Sequence, residues 1–337
     1  MKAVVIDQIG APATVRDVPL PEPQSGEVLI KVQAAGVNPA DESVRMGANP
    51  WQVPYRFPLT LDFDLAGTVE RLGGGSSRFQ LGEPVFGEVF KAVLHDGSYA
   101  EYVTVPEAGP LARQPRTLGA VQAAALPMAG LTALALVEAI GPRPGEVVLI
   151  VGATGGLGGY ATQLVAGAGA RVIATAQADE ADYVRGLGAA EVIDYRRQDV
   201  ASAVRAAHPE GIDGLIDTVS DPAAFGALAT LVRPGGRAAS PIGSADVAGL
   251  AQRQVRVANV GNPASTEALN RLAELVDDGR LRVLEITRLP LEDAPQALER
   301  YRTGHVRGKI VLVTTQGPDH TNNTNERMAV SADGKRS

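Results

Sequence analysis

"IVGATGGLGG", Ile150 to Gly159, places five glycines in ten residues. Two readings compete: a slack linker, or a backbone shaped to receive a phosphate. A flexible linker is glycine with polar residues around it. This stretch follows "EVVLI" (146–150) and leads into the helical pattern of "GLGGYATQLVAGAG" (156–169). A buried strand therefore runs into a glycine turn and then a helix. That order presents backbone N–H groups and the positive end of a helix dipole at a sheet edge, where anions are attracted. Gly155 and Gly156 let a pyrophosphate approach the backbone, and Gly158 lets the helix pack close to its strand. The first glycine of GxGxxG is replaced by Ala153, giving "ATGGLG" (153–158). Three glycines clustered at the turn favour dinucleotide binding over glycines used only for tight packing.

Outward from this turn, strands and helices alternate. "RVIATA" (171–176), "EVIDY" (191–195), "GIDGLIDTV" (211–219), "GGRAASPIG" (235–243) and "RQVRVANV" (253–260) read as strands, with helices over 179–188 and 222–232. Upstream, 118–140 reads as two helices broken at Pro127. This spacing predicts a doubly wound parallel sheet, a Rossmann domain, over 123–262. The first third has another texture. Short runs of valine, isoleucine and aromatics (2–9, 26–37, 66–73, 83–90, 97–106) are punctuated by Gly and Pro, as in a compact antiparallel β-barrel. After 263 come two helices, 265–279 and 291–304, and a closing strand, "GKIVLVT", which could return to the barrel. The fold class expected is α/β: a barrel of residues 1–122 and 263–315 around the Rossmann unit. The polar tail, 316–337, is expected to be disordered.

Composition narrows the function. The 337 residues carry a net charge of −7 and no basic stripe, which argues against a nucleic-acid partner. No apolar run is long enough for a membrane span. The apolar run at the N-terminus is too short for a signal peptide and an acid follows it, so a cytoplasmic protein is expected. There is no cysteine, which excludes disulfides and thiolate metal sites; the four histidines are scattered, and no metal is expected. An NAD site carries Asp or Glu at the end of the second strand to bond the ribose 2′-hydroxyl. Here Ala174 to Gln177 are neutral, favouring NADPH over NADH, although Asp179, Glu180 and Asp182 follow.

Several pieces, in order, resemble the zinc-free quinone oxidoreductase branch of the medium-chain dehydrogenase/reductase superfamily: "GVNPADESVRMG" (36–47), "LDFDLAGTVERLG" (61–73), "GSYAEYV" (97–103), "AAALPMAGLTAL" (123–134), "ATGGLG" and "RGKIVL" (307–312). The resemblance covers residues 1–315. It implies a GroES-like barrel beside the Rossmann domain, a cleft between them, NADPH as coenzyme and a homodimer through the strand 254–260. It also implies roles. Thr132 would meet the nicotinamide; Ala153, Thr154, Gly155, Gly156, Leu157 and Gly158 would hold the pyrophosphate. Thr175 and Tyr195 would face the adenosine ribose. Val219, Ile242 and Gly243 would flank the nicotinamide half, with Arg307 and Lys309 as further coenzyme candidates. Zinc-dependent relatives carry a histidine where Phe63 stands. Glu180 occupies the place of a frequent lysine, and Ser43 that of a frequent tyrosine.

Hydride transfer to a quinone or α,β-unsaturated carbonyl puts negative charge on oxygen, so donors must converge there. Asn38 is the first candidate, as a donor to the substrate or a brace for its own turn. Tyr55 is the second, as a phenol lining the cleft or as packing; Trp51 carries the same two readings. Asp41 reads as a structural partner. Two alternatives stay open: an enoyl-thioester reductase acting on CoA or carrier-protein substrates, and a non-catalytic NADPH-binding sensor or structural protein.

Overall fold

The computed structural model describes residues 1–49, 52–75 and 78–314. Trp51 and the tail 316–337 lie outside the described residues. Six strands form a parallel sheet in the spatial order Ala189–Asp194, Arg171–Ala176, Val147–Val151, Ile212–Asp217, Val232–Ser240, Arg256–Asn259. Numbered along the chain, that order is 3-2-1-4-5-6. It reverses at Val147–Val151, and such a switch point opens a crevice beyond the strands' carboxyl ends. The inner strands have both faces covered. Val148, Leu149, Ile150, Leu215 and Ile216 are fully buried, which explains their continuous apolar runs.

The other strands make a seven-stranded sheet and a three-stranded one. Glu27–Val37 is the spine of the larger sheet: it pairs antiparallel with Asp64–Leu72, with Tyr102–Pro106 and with the closing strand Lys309–Val313. The chain thus leaves this sheet, builds the parallel one, and comes back. Several elements were not anticipated, two of them near the parallel sheet or the closing strand. Ile286–Pro290 pairs parallel with Lys309–Val313 at the sheet's end, where a proline is tolerated because one side carries no ladder. Val200–Ala207 is a short helix capped by the Asp199 carboxylate, which accepts from the Ser202 N–H.

One apolar core joins the two sheets. It runs from Ala34, Ala66 and Phe86 through Leu126, Leu131 and Leu136 to Val148, Ile150 and Tyr160. The helix Pro127–Ile140 is buried on most of its circumference, so it acts as a shared floor and not as a surface helix. Each fully buried leucine in it contributes about 1.5–3 kcal/mol. Tyr160 lies wholly inside, and its hydroxyl donates to the Ala125 carbonyl at 3.1 Å.

Candidate functional site

The glycine turn follows Val147–Val151. Gly152 has φ +83°, and a Cβ there would meet Thr218 Oγ1 at 2.4 Å. The helix Gly156–Gly167 starts at Gly155, which has no side chain to cap the first-turn N–H groups. A Cβ on Gly158 would lie 2.2 Å from the Gly152 carbonyl oxygen, so helix and strand touch backbone to backbone. Around Gly155 the nearest atoms are 3.7–3.8 Å from such a Cβ, which leaves a cradle with uncapped donors. These features fit a bound diphosphate.

The segment Gly304–Lys309 docks on this turn. Gly155 and Gly308 form a β-bridge, and the Gly308 N–H donates to the Thr154 carbonyl at 2.8 Å. Gly308 has φ +67°, and a Cβ there would strike the Glu285 carbonyl oxygen at 2.1 Å, so glycine is required. Lys309 runs beneath Gly156, with its Cδ 2.7 Å from the position of a Cβ there. The His305 ring Nε2 faces Glu180 Oε1 at 2.7 Å and Thr154 Oγ1 at 3.4 Å.

A cavity of about 1060 Å³ opens at the switch point, within the range of small-molecule and cofactor sites or slightly above it. It brings together Asn38, Thr132, Thr154, Gly155, Gly156, Leu157, Gly158, Thr175, Tyr195, Val219, Ile242 and Lys309 among the residues the sequence singled out. Four others do not line it. Ala153 is fully buried below the turn. The Tyr55 hydroxyl donates to the Ala48 carbonyl at 2.9 Å while its ring stacks on Phe57. Arg307 donates to Glu285 at 2.7 Å and lies over the Tyr183 ring. Gly243, at φ +76°, adjoins Ile242 at the rim.

Behind Asn38 is a buried polar cluster. Lys309 Nζ donates to the Val37 carbonyl at 2.9 Å and to Asn38 Oδ1 at 2.6 Å, and lies 3.7 Å from Asp64 Oδ2. The Asn38 amide donates to the Gly36 carbonyl at 3.1 Å and to Asp64 Oδ2 at 2.8 Å, so both its hydrogens are engaged. Asp64 Oδ1 accepts from the Met128 N–H, which ties the cluster to the shared helix. Asp41 Oδ2 accepts from the Asn38 N–H at 2.7 Å and the Tyr99 hydroxyl at 3.0 Å. The Ser98 hydroxyl donates to Asp62 Oδ2 at 2.6 Å. Glu88 accepts from the Asn262 amide, and Asn262 also lines the cavity.

Loss of hydration dominates this cluster. Burial pushes Asp41 up to about 7 and Glu88 up to about 8, with the neighbouring Asp64 charge adding to both. Asp62 is raised well above the usual carboxylate range, first by burial and then by Asp41 and Asp64. Asp64 is also raised by burial, but Lys309 and Asn38 oppose the shift, so it is the carboxylate best placed to stay ionised.

The sequence reading missed Asp62, Asp64, Glu88, Asn262 and His305. "LDFDLAG" did carry a signal, two carboxylates in an otherwise apolar run; Asp64 opens the strand Asp64–Leu72, and Asp62, at φ +80°, lies just before it. The chain has no cysteine, Phe63 is apolar and packs near Phe90, and among the described residues no group of three His, Cys, Asp or Glu could hold a metal ion.

Two family models match the chain: the alcohol dehydrogenase GroES-like domain over residues 24–116 and the zinc-binding dehydrogenase domain over 187–312. The mitochondrial NAD(P)H oxidoreductase RTN4IP1 of Bos taurus is 31% identical, over 85% of this chain and 81% of its own length. The chloroplast envelope quinone oxidoreductase homolog of Arabidopsis thaliana is 30% identical, over 88% and 92%. The solved quinone oxidoreductase of Coxiella burnetii superposes with a TM-score of 0.83 at 32% identity, covering 94% of this chain and 99% of that one. Fold, glycine turn and relatives agree, and the chain belongs to the quinone oxidoreductase branch of the medium-chain dehydrogenase/reductase superfamily, a family of nicotinamide-dependent oxidoreductases.

Proposed function

We propose that the chain transfers hydride from NADPH to a quinone or an α,β-unsaturated carbonyl without zinc. The observation that carries this reading is the single cavity that has the glycine turn in one wall and the Asn38–Lys309 pair in another. Bound NADPH supplies a hydride to an electrophilic carbon; a proton from solvent completes the two-electron reduction. The protein's part is to orient the substrate, limit water and meet charge developing on oxygen. Lys309 is the one lysine or arginine among the residues lining the cavity, but its ammonium is buried against Val37, Asn38 and Asp64, so its part in this reading is to brace the wall beside the glycine turn. Asn38 has both amide hydrogens committed, and its role in this reading is to position the Lys309 ammonium. Tyr55 shapes the rim through Ala48, which is itself part of the wall.

The coenzyme choice rests on the second strand. It ends at Ala176; of the two carboxylates in the turn that follows, Asp179 is exposed and Glu180 is buried against His305. Neither lines the cavity, so a 2′-phosphate seated in it meets no carboxylate of this turn. Arg196, whose guanidinium lies 5.9 Å from the Tyr195 ring, adds positive charge at the end of the third strand. In this reading residues 123–262 carry the coenzyme, and 1–122 with 263–315 carry the substrate. The strand Arg256–Asn259 ends the parallel sheet and is the edge through which a homodimer would form.

The test is a panel of quinones, enones and enoyl-CoA esters assayed with NADPH and with NADH. NADPH oxidation by quinones or enones is expected. Turnover of enoyl-CoA alone would move the protein to the thioester reductases, and no turnover with intact coenzyme binding would make it a sensor.

A further inference from the structure

We propose that His305, held by Glu180, reads the 2′ position of the coenzyme's adenosine ribose and favours a phosphate there. This deepens the NADPH reading above and rests on it. In a doubly wound sheet the ribose lies at the end of the second strand, where a free carboxylate would bond its hydroxyls. In this chain that strand ends at Ala176, and the short turn Ala178–Glu180 follows. Glu180 is 5% exposed, and its carboxylate is turned to a residue 125 positions away. His305 lines the cavity, as do its neighbours Gly304 and Val306, and it reaches the glycine turn through Thr154. The imidazole is thus fixed between the pyrophosphate cradle and the ribose end of the cavity.

The carboxylate accepts, so Nε2 carries the proton toward Glu180 and the ring is oriented by that bond. The ring that takes the phosphate is the imidazolium, which donates from Nε2 to Glu180 and from Nδ1 to the anion. A second cation stands behind the pair: Arg307 bears electrostatically on Glu180 while bonding Glu285. With both cations in place the Glu180 charge is offset. Removing His305 leaves a buried carboxylate next to the position a phosphate would take, which disfavours the phosphate and suits a hydroxyl.

The experiment measures dissociation constants of NADPH and NADH by the change in their own fluorescence on binding, for the full chain and for His305→Ala, Glu180→Gln and the double variant. Competition by 2′,5′-ADP and by 5′-AMP isolates the ribose end. His305→Ala should weaken NADPH and 2′,5′-ADP by about tenfold, the size of one charged hydrogen bond, with NADH and 5′-AMP little changed. Glu180→Gln should move the ratio toward NADPH, and the double variant should recover part of the NADPH affinity. Equal weakening of both coenzymes in His305→Ala, or an unmoved ratio in all three variants, overturns the assignment while leaving the NADPH reading intact. Tighter binding of NADH than NADPH by the unaltered chain, or binding of neither, overturns that reading and this one with it.

Discussion

Lys309 Nζ lies 2.6 Å from Asn38 Oδ1, a contact that spans 271 positions of chain. It joins the closing strand to the helix start beside the cavity, and the same lysine runs beneath Gly156 of the glycine turn. Substrate wall and coenzyme turn are therefore mechanically linked through one side chain. At 1% exposure this ammonium is stable only because Val37, Asn38 and Asp64 surround it.

Removing that cation strands Asp64 in the interior. Lys309→Met should destabilise the fold by ~3–5 kcal/mol, the range for breaking a buried pair from one side. Adding Asp64→Asn removes the orphaned charge, so the double variant should lose less than the single one. Urea unfolding of the three proteins checks this; a double variant less stable than Lys309→Met would show that the pair is not coupled.

The parallel sheet was legible because its signals are local. Val147–Val151, the turn and the helix Gly156–Gly167 follow one another, and periodicity switches from apolar run to helix within a few residues. Ile286–Pro290 was not legible: a half-exposed edge strand containing Arg288 and Pro290 has neither alternation nor a continuous apolar run. The polar cluster failed for another reason. Asp64, Glu88, Ser98 and Lys309 come from four separate strands and loops, and only pairing in space places them together. His305 read as one scattered histidine because its partner Glu180 sits on the far side of the parallel sheet's sequence.

Two glycines make a matched test of the turn. A Cβ on Gly158 meets backbone at 2.2 Å, which cannot move without shifting strand or helix, whereas one on Gly226 meets nothing within 4 Å. Gly158→Ala should cost about 1–3 kcal/mol and weaken coenzyme binding at least tenfold. Gly226→Ala, inside the helix Pro222–Ala229, should stabilise by about 0.5–1 kcal/mol with binding unchanged. Thermal unfolding and fluorescence titration read both. Equal behaviour of the two variants would rule out a tight turn as the cause.

Metal removal tests the zinc-free reading directly. Prolonged dialysis against EDTA should leave the rate of NADPH oxidation unchanged, since no donor set for zinc exists among the described residues. A loss of rate restored by added Zn²⁺ would contradict it, and elemental analysis of the dialysed protein would show whether a metal had been present.

Glu88 gives the cluster a pH signature. Burial raises its carboxyl to about 8 from an ordinary 4.5, so in the folded state it binds a proton across a range where the unfolded chain has released it. Unfolding then releases protons, and the stability this group confers is complete below about 4.5 and lost as pH rises through about 8. Glu88→Gln cannot ionise, and its amide could also donate to Asn262 Oδ1, which is buried without a partner. The variant should match the wild type near pH 5.5 and exceed it near pH 8.5, by on the order of 3 kcal/mol. Urea midpoints at the two pH values measure the difference. A gap that stays constant with pH would mean that Glu88 is ionised throughout, with Asn262 and Lys309 outweighing its burial.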